Sequence, residues 1–222
     1  MSPKGYCSKK GPHGVIGEWD VSSVIDMRFM FSNANLFDSD ISKWDVSSVT
    51  TMAAMFLTAT SFNGDLSKWD VQNVRDMSRM FSSADFFNSD LSNWDVSSTV
   101  DMDHMFSYTD LFNSDLSKWD VSSVGHMSNM FDFAQSFNGD LSKWDVSRVI
   151  VMKNMFHFAT SFNGDISKWD VSKVTNMDSM FADATSFKQK LCGAAWVHSK
   201  ASKNGMFKDS SGSISMLSLI HI

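Results

Sequence analysis

A chain of 222 residues with 43% hydrophobic content has enough apolar material for a sizeable core, and its formal net charge of −6 is unevenly placed. Residues 1–14 carry +3 and residues 188–222 carry +4, which leaves −13 for the stretch between them. That acidic body argues against nucleic acid as a partner, because phosphate contact needs clustered Lys and Arg, and no apolar run is long enough to span a membrane.

Residues 1–14 are basic and rich in Gly, Pro and Ser; they are expected to form a disordered leader, and they lack the apolar segment of a signal peptide. A repeat then begins. Tryptophans fall at Trp19, Trp44, Trp69, Trp94, Trp119, Trp144 and Trp169, 25 residues apart. Two methionine columns, from Met27 and from Met30, and two phenylalanine columns, from Phe31 and from Phe37, keep the same step and take 14 of the 17 Met and 14 of the 19 Phe. Residues 15–187 therefore divide into seven 25-residue repeats, a period at which each unit buries its apolar side against its neighbours.

Within one repeat, Trp44 and Val46 alternate with Lys43 and Asp45, which predicts a short strand at about 43–47 with the charged pair facing out. Apolar residues at Val49, Met52, Met55, Phe56 and Ala59 then follow steps of 3, 3, 1 and 3, which predicts one face of a helix or tight helical turn. Ser48 suits its N-cap, and Asp26, Asp76 and Asp101 follow three residues after their own caps. Phe62-Asn63-Gly64-Asp65 supplies turn chemistry before the next strand. Thr99 stands where the other repeats have an inward valine, so repeat four is the expected weak joint and Thr99→Val is expected to stabilise. The fold class that follows is an α/β repeat solenoid, a right-handed coil with a parallel strand face and short helical segments opposite. The alternative is a parallel β-helix without a helical side.

After Phe187 the spacing breaks. Trp196 lies 27 residues past Trp169, and Met206-Phe207 echoes the Met-Phe pair, so residues 188–216 read as a degenerate C-terminal capping repeat. Residues 217–222 are expected to be a non-native tail, and the chain is expected to be part of a longer one. Cys7 and Cys192 lie at opposite ends of a stack roughly 30 Å long at about 4.8 Å per unit, too far apart for a bond between them unless a tail folds back.

The repeat Leu66-x-x-Trp69-x-Val71-x-x-Val74-x-x-Met77-x-x-Met80-Phe81-x-x-Ala84-x-x-Phe87 resembles the BspA-type leucine-rich repeat, in the 25-residue version of mycoplasma-type surface lipoproteins and of secreted proteins of microbial eukaryotes. The resemblance covers residues 15–191. It implies a leucine-rich-repeat-like solenoid displayed at the cell surface or outside the cell, with adhesion or partner binding as its role and no catalytic residues.

The Trp, Met and Phe columns are read as core rather than as a ligand surface. The acidic column Asp20, Asp45, Asp70, Asp95, Asp120, Asp145 and Asp170 is the sharpest polar feature. At about 5 Å each adjacent pair costs about 0.8 kcal/mol in water. Lys43, Lys68, Lys118, Lys143 and Lys168 stand two residues earlier and are expected to interleave with it; Glu18 and Asn93 replace lysine in repeats one and four. The column is either a salt-bridged or backbone-bonded ladder or a functional acidic face. A second column, Asp40, Asp65, Asp90, Asp115, Asp140 and Asp165, is expected to bond local backbone, with calcium as a weaker alternative because its spacing lacks the alternate-acid loop pattern. The six histidines occupy unrelated repeat positions, which predicts no metal column, and no nucleophile elbow, phosphate loop or Cys-x-x-Cys occurs. No cofactor is expected. The functional expectation is a non-enzymatic binding or adhesion module that presents its strand face to a protein or glycan, a cationic one if electrostatics governs. A structural spacer within a longer surface protein is the alternative.

Overall fold

The computed structural model describes residues 14–215. The expected leader apart from Gly14, Cys7 and the expected tail lie outside the described residues. The chain is a series of 25-residue units stacked in sequence order. Single parallel bridges join them, Asp26 to Thr51, Thr51 to Asp76, and so on through Asp101, His126, Val151 and Asn176 to Ser202.

The local structure differs from the expected strand and helix. Among the described residues the regular elements are a 3-10 turn at Ile16–Glu18, a two-residue parallel pair, β1 (Lys190–Leu191) with β2 (Ser213–Ile214), and one turn of helix, α1 (Ala194–Val197). The segment 43–47 forms no strand, and the parallel bridge sits at position 51 instead. Asp40 and Asp45 take the N–H groups of Ser42 and Ser47, which removes those donors from any ladder. The facing is as the alternation implies: Trp44 and Val46 are buried, while Lys43 and Asp45 are exposed.

Residues 52–62 form no helix either, and Ser48 caps none. The N–H groups of Met52, Ala54, Phe56 and Thr58 donate across to the carbonyls of Asp76, Ser78, Met80 and Ser82 in the next unit. Those of Met55, Leu57, Ala59 and Phe62 close turns on the carbonyls three residues back. A helix would keep all these donors inside the segment. Sharing them forces a left-handed backbone at Ala54 (φ 55°) and Thr58 (φ 59°), and the same two positions are left-handed in all seven units. Serial turns and a helix place apolar side chains at the same spacing, and for that reason the sequence pattern reads as helical. Asp26, Asp76 and Asp101 accept the N–H two residues on, at Arg28, Ser78 and Asp103, instead of serving a helix start.

The core is continuous from Val21 to Met206. Inside each unit the two Phe rings stack, as in Phe81–Phe87 at 3.8 Å, and each column stacks on itself, Phe56 on Phe81 at 5.5 Å and Trp44 on Trp69 at 6.5 Å. Burying each such side chain contributes roughly 1.5–3 kcal/mol. Two polar ladders tie the units. Each tryptophan from Trp44 to Trp169 donates its indole Nε1 to a carbonyl 28 residues back, for instance Trp119 to Leu91 at 3.0 Å. Asn63, Asn88, Asn113, Asn138 and Asn163 each offer the side-chain oxygen to the N–H 25 residues on.

Residues 188–215 continue the stack as an eighth unit. The turn of α1 absorbs two extra residues, so Trp196 is still fully buried and bonds the carbonyl of Ile166 at 3.1 Å. Phe207 stacks on Phe181 at 5.6 Å, and Gly205 (φ 62°) takes the left-handed position. Cys192 is half-buried and free.

Thr99 takes the inward slot, fully buried, while Val100 is exposed. Its hydroxyl donates to the carbonyl of Val74 at 2.9 Å, so the expected weak joint carries a satisfied group. The expected gain from Thr99→Val is corrected accordingly. The lost bond, worth about 1 kcal/mol net, offsets most of the benefit of a methyl, and chemical denaturation should show a change under about 1 kcal/mol. A larger gain would mean that the hydroxyl is buried unbonded.

Candidate functional site

The acidic column is built from Asx turns. Oδ1 of Asp20, Asp45, Asp70, Asp95, Asp120, Asp145 and Asp170 accepts the N–H two residues on, at 3.0–3.2 Å. The Ser22 and Ser47 hydroxyls add bonds of 2.7 and 2.6 Å to Asp20 and Asp45. These serine contacts, hydroxyl first and backbone N–H second, hold the carboxyls of Asp20, Asp45, Asp95, Asp145 and Asp170 below the ordinary range. Every residue of the column is exposed.

The lysines do not interleave with this column as expected. Among the described residues the ion pairs are Arg28–Asp26, His157–Asp132 and Lys208–Asp209, none of them in the column. Lys43, Lys68, Lys118, Lys143 and Lys168 bear instead on the second column. Asp40, Asp65, Asp115, Asp140 and Asp165 are lowered mainly by Ser42, Ser67, Ser117, Ser142 and Ser167, with these lysines as a smaller contribution. The physical reason is the spacing: three residues across the Asp-x-Ser-Lys turn bring a lysine back toward that carboxylate. Arg148 and Lys173 contribute at Asp145, and Lys173 at Asp170. No cation contributes at Asp20, Asp45 or Asp95.

Two shallow depressions lie beside the column, one at the N-terminal end of the stack where inward positions of the first unit line it and one on the face, at the two units that lack the lysine. One, of 620 Å³, is lined by Glu18, Trp19, Asp20, Val21, Val24 and Met30 at the first unit. The other, of 310 Å³, is lined by Ser92, Asn93, Trp94, Asp95, Lys118 and Asp120. The short Asn93 side chain leaves open what a lysine stem would fill. The structure thus gathers Glu18 with Asp20, and Asn93 with Asp95, Lys118 and Asp120. Lys43, Lys68, Lys143 and Lys168 line neither depression. Among the described residues no three His, Cys, Asp or Glu side chains converge to hold a metal ion.

A second cluster escaped the column reading. Five phenylalanines stand outside the two Phe columns, and two of them, Phe133 and Phe158, follow Tyr108 at 25-residue steps. Their rings stack at 4.6 and 4.5 Å, outside the core and half-buried or exposed. All three have left-handed backbones (φ 57°, 58° and 53°), a conformation disfavoured for bulky side chains. His157 meets Phe133 and Phe158 edge-on, and its Nδ1 lies 2.8 Å from Oδ1 of the buried Asp132. The signal available in the sequence was the residue set at this one position: Asn33, Thr58, Ser83, Tyr108, Phe133, Phe158, Asp183.

Thirteen aspartates are held below the usual range, chiefly by hydrogen bonds, and three, Asp85, Asp101 and Asp132, are raised by burial first. For the lowered set, stability is complete above the unfolded value near 3.9 and is lost as pH falls through the folded values. The raised three act oppositely, costing stability as pH rises from about 3.9 to their folded values. Thermal melts between pH 7 and pH 2 should fall below about pH 4, and a flat profile there would show that the Asx bonds contribute nothing.

The model of a family described as Mycoplasma protein of unknown function, DUF285, matches residues 7–118 and again residues 100–218. No curated protein matches the chain, and no solved structure does. No helix among the described residues is long and apolar enough to cross a membrane.

Proposed function

We propose that this chain, which belongs to the DUF285 family of Mycoplasma proteins of unknown function, is a non-enzymatic binding module that displays its acidic column to a cationic protein segment outside the cell. One observation carries the reading. A row of seven carboxylates is fixed in orientation by backbone bonds and carries no ion pair among the described residues. Fixed, unneutralised charges of one sign attract a cationic partner and lose little order on binding it. The bonds between successive units support reading the array as a leucine-rich-repeat-like right-handed solenoid, the expected architecture of such display modules. The extracellular setting rests on the resemblance of the repeat to surface lipoproteins.

The two depressions give the face its points of entry, because Asp20 and Asp95 stand there in the two units whose own lysine position holds Glu18 or Asn93. Asparagine keeps the oxygen that accepts the Ser22 and Ser97 N–H groups while removing the charge. Asp20→Asn with Asp95→Asn should therefore lower the melting temperature only slightly, by the charge-assisted part of the two bonds, and weaken binding of a hexalysine peptide. Wild-type binding should itself decline as salt rises, since the Debye length is about 10 Å at 0.1 M. Titration calorimetry at two salt concentrations measures both. If hexalysine binds neither protein, or binds both equally, the acidic face fails as a ligand surface and a structural spacer becomes the better account.

A further inference from the structure

The stacked rings of Tyr108, Phe133 and Phe158 are not required by the fold. Asn33, Thr58, Ser83 and Asp183 hold the same position in other units, with the same left-handed backbone and the same bonds to the next unit. Burial does not explain the rings either, since Tyr108 keeps 46% of its surface. Exposed apolar residues occur in the same and the preceding unit: Leu111 at 48%, three residues past Tyr108, and Phe86 at 59%, at one repeat position. Leu36, 74% exposed, holds the same position in the first unit, while Ser61, Ser136, Ser161 and Ser186 are polar there.

The ladder stops at Tyr108. Toward the preceding unit its place is taken by Ser83, whose side chain is too small to cover a ring face, and among the described residues the one ring stacked on Tyr108 is Phe133. Asp110 stands two residues past Tyr108, and Asp85 two residues past Ser83, at one repeat position in adjoining units. Both are exposed, and Asp110 accepts a bond from Gln135 Nε2 at 3.3 Å. Burial first and then the charge of Asp110 raise the Asp85 carboxyl.

We propose that this patch docks an arginine-bearing segment of a protein partner, with a guanidinium continuing the ring stack over Tyr108 and pairing with Asp85 and Asp110. A guanidinium is planar, stacks on aromatic faces and bonds carboxylates in a fork; an ammonium does only the last, as a point charge. Phe86 and Leu111 provide the apolar border that receives the stem of the side chain. The site uses none of the acidic column, so it stands or falls independently of the proposed display face.

The test compares blocked hexa-arginine and hexalysine peptides by titration calorimetry on the full chain. The variants are Tyr108→Ser, which installs the residue of the preceding unit, Asp85→Asn with Asp110→Asn, and Asp20→Asn with Asp95→Asn; thermal melts check that each is folded. The expected result is tighter binding of hexa-arginine than of hexalysine. Tyr108→Ser should weaken hexa-arginine about fivefold and hexalysine less, the Asp85 and Asp110 pair should weaken both, and the Asp20 and Asp95 pair should leave the arginine preference in place. Equal affinity for the two peptides, or no effect of Tyr108→Ser in a folded variant, overturns the proposal. So does binding of a neutral oligosaccharide such as chitohexaose that Tyr108→Ser abolishes while hexa-arginine binding is unchanged, which would assign the rings to a glycan.

Discussion

In each unit from 27–33 to 177–183, four backbone N–H groups, at every second residue, leave the unit and donate to the next one, while the N–H groups between them close turns. A fifth bond returns in the opposite sense, as from Thr50 to Ile25. This division of donors is the constraint on which the rest of the structure depends. It excludes a helix, since a helix consumes its own donors, and it excludes an extended strand, since the intervening turns curl the chain. It also dictates the two left-handed residues per unit, which lie where the chain must reverse to aim the next N–H outward. Glycine fills such a position only at Gly205; elsewhere residues as large as arginine and phenylalanine occupy it, at a cost the stacked core offsets.

The side-chain ladders follow from the same geometry. Where units lie in register, a group that bonds forward in one unit finds its counterpart in the next. The asparagine amides and tryptophan indoles are therefore arranged as long rows rather than as isolated pairs. The aspartates behave differently. Each bonds within its own turn, so the row is a set of parallel local solutions, and its exposure to solvent is a by-product that a ligand can use.

Much of this was legible in the residue pattern. The inward columns, the outward placement of Asp45 and Lys43, and the inward slot of Thr99 follow from a period repeated seven times, which averages out local ambiguity. The backbone path was not legible. Steps of 3, 3, 1 and 3 belong equally to a helix and to consecutive turns, and the left-handed positions are filled by Ala54, Thr58 or Arg79, which announce no such conformation. Bonds between residues 24 or 25 apart leave no local trace. The lysines were misassigned because alternation was extended through a segment whose direction is set by the Asp40 and Asp45 turns. Tyr108, Phe133 and Phe158 stand at a position whose other occupants are small or polar, so a motif present in three units leaves no mark on the seven-fold pattern.

The asparagine row also has a direction. Each amide accepts from the unit that follows, so the junction made by Asn88 and Asn113 is interchangeable with the one made by Asn113 and Asn138. Removing or duplicating a whole unit of 25 residues rebuilds the same bonds at the new seam. A change of one or two residues does not, and where the period slips before Trp196 the two extra residues are taken up by a turn of helix. Such an array is suited to genetic variation in length: recombination between in-register copies alters the reach of the molecule and the number of carboxylates it displays while leaving each interior seam unchanged.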